Sequence, residues 1–304
     1  MHDEVFTLAD LASWRAEGPC LAVLGHPIAH SLSPAMHHAA LEKLAAAEPA
    51  FRAWRYFKFD VPPEELQHAL PKLHARGFIG LNLTIPHKVI AVALIERVDP
   101  AAAEAGAVNT LRRTPTGFAG FNTDSHGFIR AVNDAFGLRL AHTPVVLLGA
   151  GGAARAAAVA CLREECASLW IGNRSATKRE ELLRVLRPVA SSGGCPIHGF
   201  ALEAPPAEIP RDALVVNATS AGLKSGDAPP IDLTTLPGAP CVYDMIYNPK
   251  ETPLLRQAAA LRLRHANGLS MLAHQGARAL ELWTRRDVDA AVMLEACRRA
   301  LGSS

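Results

Sequence analysis

Short apolar runs bounded by glycine, proline or polar residues recur along the chain, and segments with helical spacing follow them. Runs of this length between turn residues favour buried β-strands. In the first half they are CLAVLG and FIGLNLTI, and in the second half they are PVVLLG, SLWIGN, ALVVNAT and CVYDMIY. Strands that alternate with helices predict an α/β architecture with parallel sheets.

Four segments are interpreted as helices from the spacing of their apolar residues or from their alanine content. They are SHGFIRAVNDAF, AARAAAVACL, SMLAHQGARALELWT and VDAAVMLEACRRALG. We interpret RRTPTGFAGFNTD as turns, and SSGGCPIHGFALEAPPAEIP and KSGDAPPIDLTTLPGAP as loops. Because the rhythm of strand and helix restarts after the turn-rich segment, the pattern predicts two α/β domains.

One apolar run contains a single formal charge. Lys88 is the only fully charged side chain in FIGLNLTIPHKVIAVALI. An ammonium group in apolar surroundings loses hydration, which suits a lysine to proton transfer near neutral pH. The alternative is that the stem of Lys88 lies on apolar surface while its ammonium group reaches water. Asp124, in FNTDSHGF, offers a carboxylate partner, although this residue could instead cap the following helix.

Composition and charge limit the classes of protein to consider. The 304 residues are 49% hydrophobic, which suffices for two domains with full-sized cores. A net charge of +2 without a basic block favours a small-molecule partner over nucleic acid or a membrane. No apolar segment approaches the roughly 20 residues of a membrane helix, and no signal-peptide pattern is present. With scattered cysteines, these features predict a cytoplasmic protein with reduced thiols.

A glycine motif lies between a predicted strand and a predicted helix in the second half. Gly149, Gly151 and Ala154 fit the pattern G-x-G-x-x-G/A. In this pattern the first glycine makes the turn, the second lets the backbone approach a pyrophosphate, and the small third residue lets helix and strand pack closely. The helix N-terminus then faces the phosphates. The motif predicts dinucleotide binding, and the alternative is a tight turn that binds nothing.

The end of the next predicted strand indicates which dinucleotide is bound. NAD sites usually present an Asp or Glu here, whereas NADP sites tend to present an arginine to the 2′-phosphate. The sequence IGNRSATKR has no carboxylate and offers Arg174, Ser175 and Lys178, which suit a dianionic phosphate. NADP is therefore the predicted cofactor, although these cations could be ordinary solvated charges. NATSAG, residues 217–222, is assigned to the nicotinamide side.

Nine motifs occur in order over nearly the whole chain, and together they resemble the shikimate dehydrogenase family. They are GHPIAHSLSP, NLTIPHK, AGAVNTL, FNTD, GAGGAAR, NRS, NATSAG, YDMIY and GLSMLAHQGA. The resemblance implies an NADP-dependent oxidoreductase that reversibly reduces 3-dehydroshikimate to shikimate, a step of chorismate and aromatic amino-acid biosynthesis. It also implies that no metal is used. No acidic cluster accompanies the four histidines that could suggest one, which are His26, His30, His37 and His38.

The resemblance also implies roles for particular residues in the substrate site. Lys88 and Asp124 would form the catalytic acid-base pair. Ser31 and Ser33 would bind the substrate carboxylate, with Tyr247 nearby. The ring hydroxyls would contact the neutral side chains of Thr84, Asn109 and Gln275, and neutral donors and acceptors suit a small polyol acid. As alternatives, the serines could cap the following helix, and Asn109 or Gln275 could be structural. Asn82 is interpreted as shaping the end of its strand.

The cofactor site implied by the resemblance surrounds the glycine motif and the ends of the later strands. Its residues are Gly149, Ala150, Gly151, Gly152, Ala153, Asn173, Arg174, Ser175, Lys178, Asn217, Ala218, Thr219, Ser220, Met245 and Gly268. The Rossmann-like NADP-binding domain would span residues 124–266. The N-terminal substrate domain would comprise residues 1–123 and 267–304, because Gln275 must return to the site that Ser31 and Lys88 line. The active site would lie in the cleft, in a monomer or a homodimer.

Four positions depart from the usual pattern of the family. Ser175 and Lys178 replace threonine and arginine, while Ser125 and Ser270 stand where glycine is common. One alternative is therefore a quinate/shikimate dehydrogenase with relaxed cofactor use. Another is a catalytically silent protein that senses dinucleotides, although the presence of both Lys88 and Asp124 counts against it.

Overall fold

The computed structural model describes residues 4–15 and 17–302 of the chain. The strands of this part are β1 (Val5–Phe6), β2 (Cys20–Gly25), β3 (Arg55–Asp60), β4 (Phe78–Leu83), β5 (Arg97–Val98), β6 (Thr110–Arg113), β7 (Phe118–Phe121), β8 (Pro144–Leu148), β9 (Ser168–Gly172), β10 (Ile197–Phe200), β11 (Leu214–Asn217), β12 (Cys241–Asp244) and β13 (Arg264–Asn267). The α-helices are α1 (Ser33–Ala47), α2 (Leu66–Ala75), α3 (His87–Ile90), α4 (Pro100–Ala105), α5 (Asp124–Phe136), α6 (Gly152–Arg163), α7 (Ala176–Gly193), α8 (Pro253–Ala260), α9 (Leu269–Thr284) and α10 (Ala290–Ala300).

Compactness divides the chain into two units. Unit 1 comprises residues 1–123 and 272–304, and unit 2 comprises residues 124–271. The sequence places the return to the first unit after residue 266, five residues before the structure does. The difference arises because β13 pairs with β12 as far as Asn267, so that the chain leaves the sheet of unit 2 only beyond that residue.

A seven-stranded sheet forms the centre of unit 1, in the order β1-β3-β2-β4-β6-β7-β5. The first four of these strands run parallel, whereas β6 is antiparallel to both β4 and β7. Helix α1 connects β2 to β3, and α2 connects β3 to β4. Parallel strands need crossover connections of this kind. The carboxyl ends of β2 and β4 therefore lie at the same edge of the sheet. The segments that contain Ser31 and Lys88 start from this edge.

Strand β3 presents two chemically different faces. Phe57 and Phe59 pack into the hydrophobic core that α2 covers. The alternating residues Tyr56, Lys58 and Asp60 point to the other face because successive side chains of a strand alternate. The ring of Tyr56 stacks there on His37 of α1, with ring centroids 4.1 Å apart. The polar face of β3 therefore lies on the α1 side of the sheet.

Six parallel strands form the sheet of unit 2, in the order β10-β9-β8-β11-β12-β13. From β8 the chain builds outward to β9 and β10, and then returns to add β11, β12 and β13 on the other side. The order of strands therefore reverses between β8 and β11. Ligands of doubly wound folds bind at such a switch point, outside the carboxyl ends of the strands. The predicted α/β class is confirmed in both units.

Segments predicted as turns or loops contain short strands. RRTPTGFAGFNTD forms most of the β6 and β7 hairpin, and SSGGCPIHGF holds the end of α7 and the edge strand β10. The other edge strand, β13, was not predicted either. Edge strands have one unpaired side and need no continuous apolar run. The residues of β10 and β13 are mostly half-buried or exposed, so the sequences of these two strands lack an apolar run.

Across residues 4–15 and 17–302, no helix combines the length and the apolarity that crossing a membrane requires. The six cysteines are buried free thiols. The Sγ atoms of Cys166 and Cys195 lie 3.4 Å apart in unit 2, and burial raises the pKa of the Cys195 thiol to about 12. These thiols are therefore protonated near neutral pH.

Candidate active site

A buried network of polar side chains lies in unit 1, where β4 and β7 end and β6 begins. The Oδ1 atom of Asn109 accepts a hydrogen bond from the backbone N–H of Thr123 at 2.7 Å. The Nδ2 atom of Asn109 donates to Thr123 Oγ1 at 3.0 Å and to Gln275 Oε1 at 3.3 Å. The structure thus brings two of the predicted substrate residues, Asn109 and Gln275, into direct contact. Both are buried.

Asn82 extends this network towards β3. Its Nδ2 atom donates to Thr110 Oγ1 at 3.1 Å and to the carbonyl oxygen of Asn109 at 3.2 Å. Its Oδ1 atom accepts a hydrogen bond from the Tyr56 hydroxyl at 2.7 Å. Burial raises the pKa of the Tyr56 phenol well above its usual range, which the Ser33 hydroxyl partly offsets as a hydrogen-bond partner. Asn82 therefore joins three strands, which agrees with the structural role interpreted from the sequence.

Thr84 and Lys88 lie on the segment that leaves β4. The carbonyl oxygen of Thr84 accepts a hydrogen bond from the His87 N–H at 2.8 Å, and α3 begins at that residue. The carbonyl oxygen of Lys88 accepts one from the Val108 N–H, also at 2.8 Å. Val108 directly precedes Asn109. The backbone of Lys88 is therefore fixed next to the polar network.

The apolar run around Lys88 is less buried than its sequence suggests. Ile85, Val89, Ile90 and Leu94 are exposed by 38% to 66%, and Lys88 itself is half-buried. These apolar side chains reach solvent because α3 has only four residues, which is too short for a helix to bury a continuous apolar face. Lys88 is therefore not enclosed in an apolar core, and its role in proton transfer stays a prediction.

Ser31 and Ser33 lie at the start of α1. Ser33 is its first residue and is buried, whereas Ser31 is half-buried. The Oγ atom of Ser31 accepts a hydrogen bond from the Ser33 N–H at 3.3 Å, and the Ser31 N–H donates to the carbonyl oxygen of Ile28 at 3.0 Å. Ser31 therefore contacts the first residue of α1 but does not cap the helix, because Leu32 is the N-cap and no side chain makes a capping hydrogen bond there. This contact leaves its hydroxyl hydrogen available for an acceptor such as a carboxylate.

Asp124 is the first residue of α5 and follows Thr123 of the polar network directly. It is buried, and the helix dipole favours a negative charge in this first turn. The hydroxyl of the next residue, Ser125, donates to the carbonyl oxygen of Ala156 at 2.9 Å. Ser125, which stands where the family commonly has glycine, therefore links α5 to α6 through this hydrogen bond. Tyr247 follows β12 in unit 2 and is half-buried, and its role beside Ser31 and Ser33 stays a prediction.

The glycine turn of unit 2 joins β8 to α6. Gly149 has a φ angle of +118°, and a Cβ atom there would lie 2.9 Å from the carbonyl oxygen of Ala218. Gly151 is the N-cap of α6, and a Cβ atom there would meet no described atom within 4 Å. Ala154 is fully buried, which allows the close packing of helix on sheet. Since Gly151 offers no side chain, the first amides of α6 stay open to an anion.

Asn173, Arg174, Ser175 and Lys178 lie at the carboxyl end of β9 and the start of α7. The Nδ2 atom of Asn173 donates to the carbonyl oxygen of Ser175 at 2.9 Å. The Ser175 hydroxyl is the N-cap of α7 and accepts from the Lys178 N–H at 3.4 Å. Arg174 and Lys178 are exposed, so two cations flank a helix N-terminus that itself favours anions.

The end of β11 is held by a buried carboxylate at the end of β12. Asn217 donates from Nδ2 to Asp244 Oδ1 at 2.9 Å, and its Oδ1 atom accepts from the Thr219 N–H at 2.9 Å. The Thr252 hydroxyl donates to Asp244 Oδ2 at 2.6 Å. Asn217 thereby shapes the turn of residues 217–220. The next two predicted residues also lie here: Met245 follows Asp244, and a Cβ atom on Gly268 would collide with the Met245 carbonyl oxygen.

The buried carboxylate predicts a pH dependence of stability. Desolvation raises the pKa of Asp244 from 3.8 to about 6, although hydrogen bonds from Thr252, Ile246 and Asn217 oppose the shift. The folded state therefore holds this proton more tightly than the unfolded state. Its contribution to stability is present below pH 4 and is lost as the pH rises to 6, by about 3 kcal/mol for a shift of two pKa units.

We expect the Asp244→Asn variant to lack this dependence. Melting temperatures of the wild type and the variant are compared between pH 4 and 7. The wild type should lose several degrees relative to the variant over this range. A difference in melting temperature that stays constant with pH would contradict the assignment.

Sequence reasoning missed several polar residues of these sites. Tyr56, Thr110 and Thr123 belong to the network in unit 1, and Asp244 and Thr252 to the one in unit 2. The signal for Tyr56 was the alternation in RYFKFD, where Phe57 and Phe59 separate three polar side chains. Within residues 4–15 and 17–302, no group of three or more His, Cys, Asp and Glu side chains could hold a metal ion.

The two sheets and their sites define the class of this protein as an α/β oxidoreductase that uses a dinucleotide. A family model for the shikimate dehydrogenase substrate binding domain matches residues 23–111. Another, for the shikimate 5'-dehydrogenase C-terminal domain, matches residues 268–298. The chain belongs to the shikimate dehydrogenase family.

Individual relatives are similar over most of their length. A shikimate dehydrogenase (NADP(+)) of Geobacter metallireducens is 40% identical over 275 residues, 90% of this chain and 93% of that protein. One of Moorella thermoacetica is 39% identical over 298 residues, 95% of this chain and 96% of that protein. A crystal structure of shikimate 5-dehydrogenase from Thermus thermophilus in complex with NADP(H) and shikimate is 40% identical. It superposes with a TM-score of 0.79, covering 93% of this chain and 99% of that chain.

Proposed function

We propose that this protein catalyses the reversible, NADP-dependent reduction of 3-dehydroshikimate to shikimate. The observation that carries the proposal is the buried Asn109, Thr123 and Gln275 network. It lies in the unit whose sequence matches the substrate-binding domain of the family. The proposed enzyme acts in the cytoplasm as a monomer or a homodimer.

The substrate is held by neutral side chains. The Ser31 and Ser33 hydroxyls bind its carboxylate with Tyr247, and Thr84, Asn109 and Gln275 contact its hydroxyl groups. Amides that are fixed by their own hydrogen bonds present donors and acceptors in one orientation, which selects a polyol by geometry. The contacts of Asn109 with Thr123 and Gln275 support this role because they lock the Asn109 side chain before any ligand is bound.

The residues of unit 2 fit NADP. The open space beside Gly151 and the uncapped amides of α6 suit a pyrophosphate. Arg174 and Lys178, at the N-terminus of α7, suit a 2′-phosphate. Residues 217–220, Met245 and Gly268 border the nicotinamide side. When bound, NADPH supplies the hydride for the C3 carbonyl carbon of the substrate.

Lys88 and Asp124 handle the proton on the C3 oxygen. In the direction of reduction the pair supplies this proton, and in the reverse direction it removes the hydroxyl proton. Their backbones are both tied to the polar network, Lys88 through Val108 and Asp124 through its neighbour Thr123. Since Lys88 is half-buried, we assign its role to position and to the carboxylate partner rather than to full desolvation. Closely coupled groups share the proton, so the pair acts as one acid-base unit.

An activity assay tests the proposal. Purified protein is incubated with shikimate or quinate and with NADP or NAD, in all four combinations. We expect shikimate with NADP to give the highest kcat/KM. Comparable rates with quinate or with NAD would instead favour a quinate/shikimate dehydrogenase with relaxed cofactor use. Absence of turnover in every combination, together with NADP binding by calorimetry, would favour a silent dinucleotide sensor.

A further inference from the structure

A buried lysine lies behind the loop that carries the two predicted substrate serines. We propose that Lys58 determines specificity for the substrate carboxylate, by fixing residues 26–33 and by placing a positive charge behind Ser31. This assignment rests on the proposed function, in which Ser31 and Ser33 bind that carboxylate. Lys58 touches the loop rather than the reacting atoms and is therefore a positioning residue.

The polar face of β3 anchors this loop at more than one point. The Nζ atom of Lys58 donates a hydrogen bond to the carbonyl oxygen of Ala29 at 3.0 Å. Two residues further along β3, Asp60 Oδ1 lies 2.5 Å from His26 Nδ1. The loop thus rests on two charged side chains of one strand. Asp60 is engaged with His26, while Lys58 holds the part of the loop nearer to Ser31.

The position of Lys58 relative to Ser31 follows from the local hydrogen bonds. Ala29 lies inside the turn that the Ser31 N–H closes on the carbonyl oxygen of Ile28. The Ser31 hydroxyl then accepts from the Ser33 N–H at 3.3 Å. The ammonium group of Lys58 therefore supports the same turn that orients both serines. A side chain without a donor at position 58 would remove this support, whereas glutamine keeps a donor for the Ala29 carbonyl oxygen and removes only the charge.

Burial gives the charge of Lys58 its effect. The residue is 2% exposed, and a charge–charge interaction in such surroundings is screened far less than one in water. Ser31 and Ser33 supply neutral hydrogen bonds only, so they offer a carboxylate no charge of their own. The cation behind them favours a carboxylate over a neutral group of the same shape.

Two substitutions separate this role from a structural one. Lys58→Gln removes the charge but keeps an N–H donor, and Lys58→Arg keeps the charge. The matched control is Lys72→Gln, which removes an exposed positive charge from α2 on the opposite face of the sheet. Dissociation constants for shikimate and for its methyl ester are measured by calorimetry, and KM, kcat and melting temperature are recorded for each variant.

We expect Lys58→Gln to weaken shikimate binding on the order of tenfold, with kcat and the KM for NADP within about threefold of the wild type. Lys58→Arg should restore most of the affinity, and Lys72→Gln should behave as wild type. The methyl ester should bind the wild type and Lys58→Gln about equally. Unchanged shikimate affinity in Lys58→Gln would overturn the proposal, as would an equal loss for acid and ester.

The proposed function is judged separately. Turnover of the wild type with shikimate and NADP tests that function, whereas the ratio of dissociation constants tests the role of Lys58 and needs no turnover. If Lys58→Gln fails to fold, two measurements still test whether the charge selects the carboxylate. They are the affinity of Lys58→Arg for shikimate and the preference of the wild type for the acid over the ester. A wild type that binds shikimate no better than its methyl ester would refute the role of the charge.

Discussion

Lys88→Ala should reduce kcat with shikimate about a hundredfold or more, the usual scale for a positioned acid-base group. Binding of NADP should change little, because Lys88 lies in unit 1 and the glycine turn in unit 2. The matched control is Lys72→Ala, which removes an exposed lysine of the same unit. Turnover and NADP affinity are measured for both. Turnover of Lys88→Ala equal to that of the wild type would refute the catalytic role.

A second variant tests whether Lys88 and Asp124 act together. If the two share one proton-transfer function, Asp124→Asn should lose a similar factor in kcat, and the double variant should lose scarcely more than either single variant. Two losses that multiply in the double variant would show independent roles. The buried position of Asp124 at the start of α5 makes a folding control necessary, and melting temperatures supply it.

Arg174→Ala should weaken NADP by roughly ten- to a hundredfold, the range expected for loss of a charge-assisted hydrogen bond to phosphate. NAD lacks the 2′-phosphate and should be affected less than about threefold. Arg184→Ala removes an exposed arginine further along α7 and serves as the control. KM values for both dinucleotides provide the comparison. An equal effect on NADP and NAD would remove Arg174 from the 2′-phosphate site.

Much of the fold could be predicted because its central strands are buried on both faces. β2, β8, β9, β11 and β12 consist entirely of buried residues, so each appears in the sequence as an apolar run. The edge strands β10 and β13 carry polar and exposed residues. Their pairing depends on a neighbouring strand that is distant in the sequence, which local patterns do not contain.

The candidate sites likewise contain some features that the sequence predicts and others that it does not. The glycine turn could be predicted because its backbone geometry demands particular residues at fixed spacing. The contact between Asn109 and Gln275 joins residues 166 positions apart, and only the resemblance to a family placed them together. The sequence left two environments open for Lys88 and did not predict the exposure of its neighbours. An apolar sequence does not reveal that a four-residue helix leaves Val89 and Ile90 in contact with solvent.

The two glycines of the turn after β8 carry different information about evolution. A side chain at position 149 would collide with the carbonyl oxygen of Ala218, the residue that follows β11, so the fold itself excludes one whether or not a nucleotide is ever bound. Position 151 has room for a side chain, so only a bound ligand would exclude a larger residue there. A descendant that abandoned its cofactor should therefore keep the first glycine and lose the second.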